Sequence, residues 1–142
     1  MIQEEVKIQD LQEIIDLFKM DAGEKTDAYL HYDRLFIKHP YGKCDFMLRL
    51  HKHNHTLVIV SMRFARNQSE NEDKLMDLLQ HYGEQRGFQH LVMENALAPE
   101  EVEFCKRKGF ELHDPYFPGS TGDFSLVGNY RISIKDMNTS VV

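Results

Sequence analysis

The chain has 142 residues, 42% of them hydrophobic, which suffices for the core of one domain and is too few for two ordinary ones. Seventeen Lys and Arg residues against 23 Asp and Glu give a net charge of −6 without a long basic run, so we expect no nucleic-acid partner. The longest apolar run, residues 57–60, is too short to cross a membrane, and the N-terminal residues lack the layout of a signal peptide. We therefore expect a cytoplasmic protein without a membrane partner, in which Cys44 and Cys105 are reduced thiols.

The N-terminal third of the chain predicts a strand and two helices. Residues 1–8 fit a first strand, and Asp10 begins a capping-box pattern before apolar residues at helical spacing, which predicts a helix over residues 11–20. Apolar and aromatic residues within 26–38 indicate a second helix. It would close before Pro40, because the residue preceding a proline disfavours helical geometry.

Three histidines follow a strand predicted at residues 44–50. His51, His53 and His55 alternate, so an extended backbone would place all three on one face, within reach of an ion such as zinc. The alternative is a solvated hairpin turn. Because no carboxylate or cysteine is spaced to complete a tetrahedral shell, we predict no metal site.

The middle of the chain carries the strongest pattern. Residues 56–64 begin with a nearly continuous apolar run, which is typical of a central strand covered on both faces. Apolar residues at helical spacing follow and end at Gly87, and residues 91–93 return as a second buried strand. A strand, helix and strand in this order form a right-handed crossover. Any ligand is expected beyond the carboxyl end of the first strand, at the loop formed by residues 66–71.

A fourth helix is predicted from Pro99 to just before Gly109. Acidic residues in its first turn and basic residues in its last complement the helix dipole, and proline and glycine suit the two ends. Helix stabilisation explains the basic triplet at 106–108, so no binding role is assigned to it.

The C-terminal part predicts short strands and loops. Residues 110–112 fit a strand, residues 114–122 a loop, and residues 124–134 a hairpin around a Gly-Asn turn at Gly128. We expect a single domain over residues 1–135 and a flexible tail over residues 136–142.

The order of these elements resembles that of the GNAT N-acyltransferase superfamily. The closest match is the segment from Phe104 to Phe110, which is similar to the late helix of the superfamily, ending in Gly-Phe. Residues 85–94 resemble the preceding helix end and strand. The resemblance implies an α/β (α+β) fold, with a GNAT-like mixed central sheet flanked by helices.

In that superfamily a loop of the form R/Q-x-x-G-x-G/A holds the pyrophosphate of acetyl-CoA on free backbone N–H groups. Arg66 matches the first position, whereas Ser69 and Asn71 replace the glycines, and a shift of one residue places Glu70 and Glu72 there instead. Ser69 and Glu72 also match a capping box, which would occupy amides that a phosphate needs. The resemblance assigns to the acetyl-CoA site Met62, Phe64, Arg66, Asn67, Gln68, Ser69, Glu70, Asn71 and Asn95.

The chemistry implied by the resemblance is attack of an amine on a thioester, assisted by a base and by an acid that protonates the thiolate. Cys105 stands where the superfamily often has the tyrosine acid, although a free cysteine on a helix also suits a core position. Tyr116 and Tyr130 are alternative acids. Glu94, at the end of the second buried strand, is the candidate base.

Two principal functions follow from this resemblance. The first is an acetyl-CoA-dependent N-acyltransferase acting on an amine of a small molecule or a protein. The second is a GNAT-fold domain without catalysis that binds a partner or ligand, favoured by the replaced glycines and the missing tyrosine. A metal-responsive domain using the three histidines is a third alternative, and a homodimer is a further possible assembly.

Overall fold

Helices and strands are interspersed in the computed structural model, which describes residues 5–141. The α-helices are α1 (Gln12–Ala22), α2 (Gln68–Arg86) and α3 (Pro99–Arg107). Short 3₁₀ helices lie at Ile8–Leu11, Gly122–Leu126 and Ile134–Val141. The strands are β1 (Asp27–His31), β2 (Arg34–Lys38), β3 (Asp45–His51), β4 (Thr56–Arg63), β5 (His90–Ala96), β6 (Glu111–Pro115) and β7 (Gly128–Ser133). Over this region, none of the helices combines the length and apolar character that crossing a bilayer requires.

The seven strands found in residues 5–141 form one sheet in the order β1-β2-β3-β4-β5-β7-β6. β4 and β5 pair in parallel through the crossover helix α2, and every other neighbouring pair is antiparallel. The predicted fold class, a mixed central sheet with flanking helices, is confirmed.

One face of this sheet is buried against the helices. Leu57 and Ile59 of β4 are completely buried and belong to the same core as Phe18 of α1, Leu79 of α2 and Phe104 of α3. Burying one such aliphatic side chain contributes about 1.5–3 kcal/mol, so the central strand is a main source of stability. The buried strand that the apolar run predicted is confirmed.

β4 and β5 stop pairing partway along their length. The last parallel pair joins Ile59 and Met93, whereas β4 continues to Arg63 and β5 to Ala96. The pairing of β4 with β3 skips Val60, and an extra residue of this kind bends a strand locally. The two strands therefore separate after Ile59 and leave a wedge between them.

The predicted strand at residues 1–8 has no counterpart where the chain is described. Residues 5–7 are irregular and the 3₁₀ helix Ile8–Leu11 follows, while residues 1–4 lie outside the described residues. No strand therefore precedes α1 between residue 5 and its first turn.

The first predicted helix is confirmed as α1, but its predicted cap is wrong. Leu11 occupies the N-cap position of α1 without a side-chain hydrogen bond. The Asp10 carboxylate instead pairs with Arg86 of α2, with 2.9 Å between Oδ1 and Nη2. Asp10 thus ties two helices together rather than ending one of them.

Residues 26–38 contain a β-hairpin, so the helix predicted there is wrong. β1 and β2 pair with Tyr29 opposite Phe36, and the two ring centroids are 4.9 Å apart. Leu35 and Ile37 are completely buried, whereas Phe36 between them points to the other face. This alternation has the period of a strand, and the helical prediction failed because it counted aromatic residues from both faces as one stripe.

The hairpin predicted at residues 124–134 is also wrong. Gly122–Leu126 is a 3₁₀ helix, and β7 pairs with both β5 and β6. Gly128 has φ 154°, and a Cβ there would lie 2.2 Å from the carbonyl oxygen of Asp114. The glycine permits the close approach of β6, which extends into the predicted loop at residues 114–122, and does not form a turn.

The predicted tail begins inside the 3₁₀ helix Ile134–Val141. Met137 in this segment is buried in the core. The flexibility of residues 136–142 and the division at residue 135 stay predictions.

Candidate functional site

The wedge between β4 and β5 opens into a cleft of about 700 Å³, a size that suits a small organic ligand. The second half of β4 and Met93 of β5 form its floor, and the beginnings of α2 and α3 form its sides. This is where the sequence places a ligand, because ligands of open α/β sheets bind beyond the carboxyl ends of parallel strands.

The N terminus of α2 forms one end of the cleft. Gln68 and Ser69 line it, and Asn67 at the N-cap has a left-handed backbone with φ 48° and ψ 51°. No described residue accepts a hydrogen bond from the backbone N–H groups of residues 68–70. Unused amides at a helix N terminus favour anions, so this end of the cleft suits a phosphate or carboxylate.

The capping box predicted for Ser69 and Glu72 is wrong. Both residues lie within α2, and the N-cap makes no side-chain hydrogen bond. The Glu72 carboxylate instead accepts a hydrogen bond from Gln68 Nε2 at 2.9 Å and another from Arg107 Nη2 at 3.4 Å. The amides of the first turn are therefore not consumed by this pair.

Glu72 places a negative charge in the cleft wall. Its side chain is buried, and burial raises the pKa of its carboxyl, while the hydrogen bond from Gln68 and the charge of Arg107 act in the opposite direction. Two neighbouring carboxylates of α2, Glu70 and Asp73, do not line the cleft. Glu72 is therefore the carboxylate of this helix that faces the cleft.

A carboxylate from α1 holds the loop that precedes α2. Asp21 Oδ2 accepts a hydrogen bond from the Ala65 amide at 2.6 Å, and Oδ1 accepts one from the Arg66 amide at 2.9 Å. A third loop amide, that of Phe64, donates to Gln68 Oε1 at 2.9 Å. The protein's own side chains thus occupy the amides of residues 64–66, and only the helix end remains open.

Arg66 was predicted to bind the cofactor, but its side chain turns to α1. Its guanidinium donates to the carbonyl oxygens of Met20 at 3.4 Å and Asp21 at 3.2 Å, and it does not line the cleft. The Asn71 side chain is also directed inward, donating to Arg66 O at 2.8 Å and to Asp21 Oδ1 at 3.3 Å. Neither Ser69 nor Asn71 has a positive φ, so the backbone here does not require the missing glycines.

The remaining predicted cofactor residues divide between the cleft and the core. Met62 lines the cleft. Phe64 is buried and stacks on Phe18 of α1, with ring centroids 4.4 Å apart. Asn95 lies outside the cleft in the polar group described next.

Glu94, Asn95 and Tyr116 come together at the carboxyl end of β5. The Tyr116 hydroxyl hydrogen-bonds the side-chain oxygens of Asn95 and Asn129, the latter at 2.9 Å. Burial raises the pKa of Tyr116, and the Glu94 charge raises it further, so the phenol stays protonated at neutral pH. Glu94 itself pairs with Arg49 of β3. Because residues alternate along a strand, Glu94 lies on the face of the sheet opposite Met93 and the cleft.

Cys105 and Tyr130 lie in the core rather than in the cleft. Cys105 is completely buried, and burial raises the pKa of its thiol to about 12. Tyr130 is 2% exposed, and its hydroxyl donates to the carbonyl oxygen of Leu126 at 2.5 Å. Neither group is placed to reach a ligand in the cleft.

The histidine turn shows no arrangement for a metal. Across residues 5–141, no three His, Cys, Asp or Glu side chains are grouped so that they could hold an ion. His51 ends β3, and His55 has a left-handed backbone with φ 54° in the turn to β4. His53 is exposed in this turn, whereas His51 and His55 are partly buried.

Sequence reasoning missed three residues of this region. Asp21 was given no role, and Arg107 was assigned to helix stabilisation alone. Arg49 was one residue of a strand without a role. Each acts on a partner 35 or more residues away along the chain, and no local spacing signals such a pairing.

The fold is shared with known acetyltransferases. No protein-family model matches the chain, and no curated protein matches it either. Among solved structures, it is similar to a "probable" acetyltransferase of the GNAT family from Chromobacterium violaceum, with TM-score 0.52, 8% identity, and coverage of 95% of this chain and 88% of that one. It is similar to the spermidine/spermine N-acetyltransferase SpeG from Vibrio cholerae, with TM-score 0.52, 10% identity, and coverage of 98% of each chain.

A third likeness is to nourseothricin acetyltransferase, with TM-score 0.49, 18% identity and coverage of 71% of this chain. The chain spans 64% of the length of that enzyme. The first two likenesses, each with a TM-score of 0.52, show the fold alone, and that fold is the one of the GNAT acetyltransferases, as the sequence resemblance predicted.

Proposed function

We propose that the chain is an acetyl-CoA-dependent N-acetyltransferase that acetylates an amine. The observation that supports this proposal is the wedge between β4 and β5, with the free amides of residues 68–70 at one end. A helix of 19 residues places its positive end there, which favours a diphosphate.

The residues of the cleft fit acetyl-CoA in shape and in most of its chemistry. Met62, Met93 and Phe104 offer apolar walls for an extended chain, and Arg63 adds a positive charge to the lining. Glu72 opposes an anion, and so do Glu100, Glu101 and Glu103 of α3, which also line the cleft. When bound, acetyl-CoA supplies the acetyl group as a thioester, whose thiolate departs when the amine attacks.

The proton transfers are assigned to the polar group on the other face of the sheet. Because Glu94 and Tyr116 do not line the cleft, the thioester must reach them through the wedge between β4 and β5. Glu94 accepts the proton that the attacking amine loses, and Arg49 keeps this carboxylate in place. Tyr116 is protonated at neutral pH and donates a proton to the departing thiolate. An amine of a small molecule or of a protein approaches from this side, where Glu94 and Asp114 favour a cation.

The test begins with binding. Acetyl-CoA at about 100 times its dissociation constant should stabilise the protein by about 2.7 kcal/mol, which a thermal-shift assay resolves. Ser69→Glu adds a carboxylate at the free amides and should abolish the shift. Thr121→Glu adds the same charge at an exposed loop position and should leave the shift intact. Absence of any shift for the unaltered protein would refute the proposal.

Turnover is the second step. Release of free thiol from acetyl-CoA, measured with polyamines, amino acids and peptides as acceptors, should depend on the amine and should fall in Glu94→Gln with binding unchanged.

A GNAT-fold binding domain without catalysis is the second candidate. The burial of Cys105, with its pKa near 12, and the absence of a tyrosine from the described cleft wall favour it. Binding of acetyl-CoA without thiol release for any amine would support this candidate.

A further inference from the structure

α1 and the loop before α2 exchange hydrogen bonds in both directions. The Asp21 carboxylate accepts from the amides of Ala65 and Arg66, while the Arg66 guanidinium donates to carbonyl oxygens at the end of α1. The Asn71 amide group adds a bond to Asp21 Oδ1 and another to Arg66 O. Six hydrogen bonds thus converge beside the first turn of α2, and five of them join a side chain to the backbone.

The carboxylate at the centre of this arrangement is buried. Asp21 is only 7% exposed, and a buried carboxylate is tolerated only where donors surround it. Hydrogen bonds from backbone amides to a charged oxygen are shorter and about twice as strong as neutral ones, and two consecutive amides form a cradle for an anion. The Asp21 carboxylate therefore accepts, from two consecutive loop amides, hydrogen bonds of the kind that a phosphate oxygen could accept.

Asp21 does not touch the cleft that it serves. It lines a separate cavity of about 490 Å³ on the α1 side, together with Lys43 and Arg66. The amides of residues 68–70, by contrast, stand at the cleft end of α2, only two residues beyond the loop that Asp21 holds. Any effect of Asp21 on a ligand must pass through the backbone of residues 65–67.

We propose that Asp21 is a positioning residue, which fixes the β4–α2 loop so that the first turn of α2 presents its free amides to the cleft. This inference has two halves. The structural half, that Asp21 orders the loop, stands independently, whereas the ligand half, that this order aids binding of acetyl-CoA, rests on the proposed function. Arg66, which was predicted to bind the ligand, takes part in the same hydrogen-bonded contact between α1 and the loop.

The structural half is tested by hydrogen exchange of individual amides, measured by NMR. In Asp21→Ala, the amides of Ala65 and Arg66 should lose protection by about tenfold or more, and so should the first bonded amides of α2, while the far end of α2 changes little. Ile15→Val, a core change on α1 that removes no hydrogen bond to the loop, is the stability control. Unchanged protection at residues 65 and 66, or a uniform loss like that of the control, would overturn the proposal.

The ligand half uses acetyl-CoA and calorimetry. Asp21→Ala should raise the dissociation constant by about tenfold, while Ile15→Val, which also lowers stability, should leave it unchanged. Glu24→Gln removes one negative charge from the exposed turn after α1 and controls for net charge. Equal or tighter binding by Asp21→Ala would overturn the positioning role.

The two proposals can fail separately. If the unaltered protein does not bind acetyl-CoA, the proposed function fails, and the exchange measurement alone decides whether Asp21 positions the loop. If the protein binds but Asp21→Ala binds equally well, the function stands and the inference fails.

Discussion

Glu72 of α2 and Arg107 of α3 form an ion pair in the wall of the cleft, with 3.4 Å between Oε1 and Nη2. The pair joins the two helices that bound the wedge, and it uses much of the positive charge that Arg107 would otherwise offer to an anion. Glu72 is the more buried member of the pair and Arg107 the more exposed one. The residue that repels an anionic ligand is therefore the one whose position is fixed by the protein around it.

Replacing Glu72 by Gln should tighten acetyl-CoA binding. Two unit charges about 6 Å apart repel by roughly 1–3 kcal/mol at effective dielectric constants of 80 to 20, and screening favours the lower end. We therefore expect about fivefold tighter binding by calorimetry. Glu70→Gln is the matched control, since Glu70 is exposed, pairs with Lys74 and does not line the cleft. An equal gain in the control would show that only net charge matters.

Stability should depend on pH through Glu72. Burial raises the pKa of Glu72 in the folded protein, so folding favours its protonated form. Its contribution to the free energy of unfolding is then largest below the unfolded pKa and falls as pH rises through the folded pKa. Urea unfolding from about pH 4 to pH 8 should show Glu72→Gln gaining stability relative to the unaltered protein as pH rises. A constant difference across this window would contradict the assignment.

Neither cysteine should react in the folded protein. Burial raises the pKa of both thiols, that of Cys105 to about 12, and both side chains are at most 1% exposed. Iodoacetamide at pH 8 should therefore label neither site until a denaturant is added, as mass spectrometry can follow. Cys105→Ala should reduce stability without reducing turnover per folded molecule. A specific fall in turnover would restore the catalytic role that the sequence suggested.

Gly83 should be required for the packing of α2. A Cβ at this position would lie 2.6 Å from Ile134 Cδ1, so Gly83→Ala must displace a buried side chain. Overpacking costs about 1–3 kcal/mol, and the gain in helix propensity is about 1 kcal/mol, so we expect a net loss of about 1 kcal/mol. Ile134→Val removes the clashing methyl group, and Gly83→Ala should be stabilising in that background. A cost that is the same in both backgrounds would contradict this explanation.

Local patterns were sufficient for the half of the chain that contains the cleft. The strands β4 and β5 have apolar runs, α2 ends at a glycine, and α3 begins at a proline. Each of these signals depends only on neighbouring residues. The same reasoning failed at residues 26–38, where aromatic side chains on both faces of a hairpin imitated a helical stripe. It failed again at Gly128, whose role is set by a strand 14 residues earlier.

The site itself was only partly predictable. The place of the cleft, at the carboxyl end of β4, follows from the order strand, helix, strand. The free amides at Gln68 and Ser69 do not, because the sequence predicted a capping box that would occupy them. Asp21 and Arg66 depend on a contact between residues 45 apart, which only the folded chain defines. A motif aligned by sequence therefore identified Arg66 correctly as a loop residue, but could not show that its guanidinium contacts α1.

The contact between α1 and the β4–α2 loop also affects how the protein can be shortened. A version beginning at β1 would retain the strands and both walls of the wedge, yet it would expose two backbone amides and leave Arg66 without its carbonyl acceptors. Any search for a minimal ligand-binding fragment must therefore keep residues 12–22, even though they lie outside the wedge.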